Sequence, residues 1–111
     1  ELFEELSNRH SIIYAGHQNI PMQVKKGKLV QINLPQTCQF PCSWYYVRVY
    51  KNGLYHQNMP INSEILRQHS RIDSQIAAEY FSEPQWQTEY RRGKDAAAGN
   101  FLIEMHMQTA N

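Results

Sequence analysis

Glycine is sparse in this chain, and Gly16, Gly27, Gly53, Gly93 and Gly99 each stand alone, so no glycine-rich loop is available to cradle a phosphate. Long apolar runs are missing as well. None approaches the roughly 20 residues that cross a bilayer, and no charged-then-apolar leader opens the chain. Charge of one sign is also lacking: eleven Lys and Arg against ten Asp and Glu leave a formal net charge of +1. Bulk electrostatics therefore points neither to duplex DNA nor to an anionic membrane. Internal repeats and low-complexity tracts are absent.

Metal-binding and catalytic spacings are absent in the same way. His10, His17, His56, His69 and His106 are scattered singly, with no zinc-ligand spacing and no H-E-x-x-H helix motif. No metal and no cofactor is expected. The acidic residues form no evident acid/base pair, because Glu1, Glu4 and Glu5 read as a solvated helix start while Asp73 and Glu79 fall on an outer helix face. Ser-His-acid chemistry would need a convergence in space that no local motif announces.

What remains is an ordinary globular composition, 41% hydrophobic and 19% charged over 111 residues. That length suits one core and is short for two, so the expectation is a single domain over 1–111. It begins at Glu1 instead of methionine, which reads as a processed protein or a domain excised from a longer one.

Period-two patterns dominate the first half. Leu29, Gln31 and Asn33 alternate with Val30, Ile32 and Leu34, which predicts a half-buried strand, and Pro35 ends it because proline has no amide proton for a ladder. Lys25-Lys26-Gly27-Lys28 reads as a charged hairpin turn. From Trp44 to Lys51 the chain is aromatic and β-branched, which suits a pleated surface. Asn52-Gly53 then predicts a type I′ turn with Leu54 to Gln57 as the return strand.

Helical spacing follows. Ile65, His69, Ile72, Ile76 and Tyr80 share one face, so a principal amphipathic helix is expected over about 63–80, capped by Asn62 or Ser63 and packed on a sheet with His69 in or beside the core. Ser82-Glu83-Pro84 stops it. Gln85 to Asp95 reads as a short helix or an ordered loop, and Phe101 to Gln108 as a closing strand. The predicted fold class is α+β, a mostly antiparallel β-sheet or sandwich-like domain of about six strands; a pure sandwich is the alternative.

Cys38 and Cys42 admit two states. A disulfide requires a sharp turn that brings the two Cα atoms within roughly 7 Å, and Pro41 favours one. Oxidation would imply an extracytoplasmic protein, secreted, periplasmic or an ectodomain; otherwise the pair are two free thiols.

In an extended segment Trp44, Tyr46, Arg48 and Tyr50 share one side while Tyr45, Val47 and Val49 share the other. The second set makes the better core. Three rings and a guanidinium in a row are residue types enriched at protein interfaces, so the expected function is a non-enzymatic protein-binding or assembly module. A single-stranded nucleic-acid-binding module is the first alternative and would need Lys25, Lys26, Lys28, Arg91, Arg92 and Lys94 to converge on the rings. A small enzyme with a His-containing site is the second.

Overall fold

The computed structural model describes residues 2–17 and 20–105. Along the chain it runs α1 (Leu2–Ser7), β1 (Ser11–Ala15), β2 (Met22–Lys26), β3 (Leu29–Asn33), β4 (Ser43–Tyr50), β5 (Gly53–Pro60), α2 (Glu64–Tyr80), α3 (Pro84–Ala98) and β6 (Phe101–Glu104). The fold is α+β, with two mostly antiparallel three-stranded sheets and helices. His106 to Gln108 of the expected closing strand lie outside the described residues.

In the first sheet β3 is central, parallel to β1 on one side and antiparallel to β2 on the other. Pairing on both edges and the contact of α1 with β3 bury more of this strand than its alternation predicts. Leu29 and Asn33, assigned to a largely polar face, are both buried. Gln31 Nε2 donates to Asn33 Oδ1 at 2.9 Å, which gives the buried amide a partner. The β2–β3 turn rests on the end of α1: Lys28 N donates to the Ser7 carbonyl at 2.8 Å. Gly27 turns there at φ +58, and a Cβ would strike that same carbonyl.

The second sheet is an antiparallel meander in the order β4-β5-β6. Its first hairpin turns one residue earlier than Asn52-Gly53 implies, because Tyr50 pairs with Gly53 and leaves Lys51-Asn52 as the loop. Neither loop residue has positive φ, so the turn is not type I′. Gly53 serves a different need. A Cβ on it would overlap the Ile103 carbonyl of β6, so glycine permits the close approach of the third strand.

Between the sheets lies a small apolar cluster. Val30 and Ile32 from the first sheet meet Ile103 from the second, flanked by Ile12, Leu34, Tyr45, Phe101 and Met105. The molecule is elongated around it, with principal extents of 54 × 32 × 18 Å. Its radius of gyration is 16.0 Å, against about 13 Å for a compact chain of this length.

Helix α2 begins as its sequence implies, Ser63 Oγ accepting from Leu66 N at 3.3 Å. Its packing differs from expectation. α2 lies against α3 and not on a sheet, and the side turned to α3 carries small residues, Ser74 among them, leaving His69 and the apolar stripe exposed. The segment expected as a short helix or loop is the full helix α3, opened by Pro84, which tolerates a first-turn position because its missing amide would have had no partner there. Gln87 Nε2 donates to the Ala78 and Phe81 carbonyls at 2.9 and 3.0 Å and fastens the two helices. Phe40 anchors the preceding long loop onto α3, its ring seated over Gly93, where a Cβ would collide with it, and beside Tyr90 at 5.7 Å.

Candidate functional site

Strand β4 is an edge. It pairs with β5 along one side, and among the described residues no strand pairs with the other. Ser43 N on that edge donates to the Gln36 carbonyl at 3.0 Å, and beyond it the strand keeps one row of backbone hydrogen-bonding groups available, which is the physical condition for adding a strand from another chain.

The pleat sorts the side chains of the second sheet into two sets, since residues paired across an antiparallel ladder point to the same face. Tyr45 and Val47 turn inward with their partners Asn58 and His56, and Phe101 and Ile103 join them from β6, but Val49, expected in the core with them, is 62% exposed near the end of the strand. Trp44, Tyr46, Arg48 and Tyr50 turn outward with Met59, Gln57 and Tyr55 of β5 and Leu102 of β6. Among the described residues no second layer seals the outer set: Trp44 is 45%, Tyr46 47% and Tyr50 48% exposed. Arg48 is exposed as well and holds its guanidinium 5.4 Å from the centre of the Tyr46 ring, a cation–π distance that fixes both side chains in one patch.

Sequence spacing missed the group that supports this face from behind. His56 is fully buried, stacked on Phe101 at 4.5 Å with the planes 10° apart, and edge-on to Tyr45 at 6.1 Å. Its Nδ1 lies 3.1 Å from the Leu54 carbonyl, which can only accept, so in the neutral ring Nδ1 carries the proton. Nε2 then accepts from the Tyr14 hydroxyl at 2.7 Å, a bond that ties the first sheet to the second. Burial holds the His56 pKa below the ordinary histidine value, against backbone hydrogen bonding at Leu54 and Phe101, which pulls the other way. Burial likewise raises the Tyr45 phenol. Through these two bonds His56 clamps β1 of the first sheet to β5 of the second.

The remaining candidates are dispersed. Cys38 is exposed, Cys42 is buried, and both are free. Lys25 and Lys26 stand on β2 of the first sheet and Lys28 in its hairpin turn, while Arg91, Arg92 and Lys94 ride on α3, so none belongs to the outer face of β4. A cleft of about 320 Å³ opens between the sheets and α3, with Ile32, Tyr45, Arg92, Asp95, Asn100 and Phe101 in its wall. Among the described residues no group of three or more His, Cys, Asp or Glu could hold a metal ion, and no helix is long and apolar enough to cross a membrane.

None of the family models, curated proteins or solved structures compared with the chain matches it. The geometry of its own surface is therefore what bears on function.

Proposed function

We propose that the protein is a non-enzymatic protein-binding or assembly module that takes an extended segment of a protein partner along β4. The observation that carries this reading is the unpaired edge of β4 combined with the exposed row of Trp44, Tyr46, Arg48 and Tyr50 beside it. Main-chain hydrogen bonds along the edge supply affinity that does not depend on the partner's sequence, while the rings and guanidinium select alternate side chains. Rigid aromatics lose little entropy on contact, and with Arg they are the side chains that carry most interface energy. Arg48 makes an acidic residue in the partner segment favourable.

The row also suits stacked bases, but a single strand needs a positively charged groove, and the basic clusters lie on other elements. An extracytoplasmic site of action stays tied to oxidation of Cys38 and Cys42. Thiol titration under native and denaturing conditions decides that point.

Photo-crosslinking from position 50 in cells is expected to trap a protein, and the combined Trp44→Ala, Tyr46→Ala and Arg48→Ala variant, still folded and carrying the same crosslinker, is expected to lose it. Unchanged capture by the folded variant removes the proposal. Binding of a single-stranded oligonucleotide that depends on the same three residues and weakens steeply with salt would replace it with the nucleic-acid reading.

A further inference from the structure

Helix α2 carries a second uncovered surface, on an element that the β4 reading does not use. Ile65, His69, Ile72 and Ile76 recur at intervals of four, three and four, and at about 100° per residue they fall within about 60° of one another. Ser74, on the side that packs against α3, lies opposite. Exposure of this face is large: Ile65 is 73% and Tyr80 79% open to solvent, Ile72 and Ile76 are each above a third, and His69 is exposed. Together these leave on the order of 600 Å² uncovered, the upper end of what monomers tolerate.

We propose that this face pairs with the same face of a second copy, α2 against α2 and antiparallel, making the protein a homodimer. The four-three-four spacing reads identically in both directions, so a two-fold axis between Ser70 and Arg71 sets Ile65 on Ile76 of the second copy and His69 on Ile72 of the second copy. That is the self-complementarity an isologous interface requires. Two such faces bury about 1,200 Å², the lower bound of a specific interface. The seam carries no carboxylate, ammonium or guanidinium. On one flank Gln68 comes alongside Gln75 of the second copy; within each helix Gln68 donates to Glu64 and Gln75 to Glu79 at 3.1 and 3.0 Å. The nearest like charges, Glu64 and Glu79 of the second copy, meet at the rim, where salt screens them.

Sedimentation of the full chain is expected to show a dimer below about 100 µM. Ile72→Glu places a carboxylate in each half of the seam and is expected to weaken it by at least about a hundredfold, with Ile76→Lys doing the same. His69→Leu replaces the one polar side chain of the seam and is expected to tighten it about tenfold. All three positions are exposed in the monomer, so circular dichroism should be unchanged. In a Cys38→Ser background, Ile65→Cys copies mixed with Ile76→Cys copies should crosslink, whereas Ile65→Cys copies alone should not. A monomer at that concentration overturns the proposal, as does a dimer indifferent to Ile72→Glu and Ile76→Lys, a dimer that loosens as salt rises, or self-crosslinking of Ile65→Cys, which would report a parallel seam.

Discussion

Strand β3 and helix α2 are the two most regularly patterned segments of the chain, and they finish in opposite surroundings. β3 is flanked by β1 and β2, contacted by α1 and packed toward Ile103 of the second sheet, so even Leu29 and Asn33 on its polar side are buried. α2 meets α3 through small side chains and leaves its isoleucines in water. Both segments have a clean periodicity. What separates them is the supply of covering surface, because a period says which side chains share a face and is silent on what lies across from it. A chain drawn out to 54 Å has too few layers to close over every apolar face it presents.

Substitution can break that contrast. Ile32→Ala removes a side chain at the centre of the core and is expected to cost about 2–4 kcal/mol, while Ile72→Ala on α2 should stay within about 0.5 kcal/mol in the monomer. Urea melts at low protein concentration check both, and comparable losses would mean that α2 is covered in solution.

A smaller effect probes what joins the two sheets. Tyr14→Phe leaves His56 Nε2 buried without its donor and should cost about 1–2 kcal/mol. The pH dependence follows from the direction of the His56 shift. Its folded pKa is depressed, so the unfolded chain takes up a proton first; stability is complete above about 6.5 and is lost as pH falls from there through the folded value. Melts between pH 8 and 5 should show this acid limb in the native chain and lack it in His56→Phe. An acid limb that survives that replacement would assign the titration to another group.

The smallest expected change is at the end of α2. Ser63→Ala removes the acceptor for Leu66 N and should cost about 1 kcal/mol. A loss well above that would show α2 supported by little besides its own cap.

Local chemistry made several elements legible. The cap at Ser63, the charged turn at Gly27, the hairpin from β4 to β5 and the sorting of Trp44 to Tyr50 into two sides all follow from contacts between near neighbours or from the pleat itself. α3 is harder to read because its apolar side chains are few, Trp86, Tyr90 and a closing run of alanines, and its length comes from packing on α2 and from Phe40 settling over Gly93. The turn at Lys51-Asn52 departs from the favoured dipeptide because Gly53 is needed where β6 crosses closely. His56 gave no spacing signal, since its partner Tyr14 lies 42 residues away.

From its order of residues alone, this protein acquires its faces: alternation along β4 sets rings and Arg48 to one side, and the four-three-four spacing gathers the apolar side chains of α2. Tertiary structure decides which of those faces become interior. That choice depends on segments far apart in the chain arriving at the same place, as Tyr14 does at His56 and Phe40 at Gly93, and short-range preferences carry no information about such meetings.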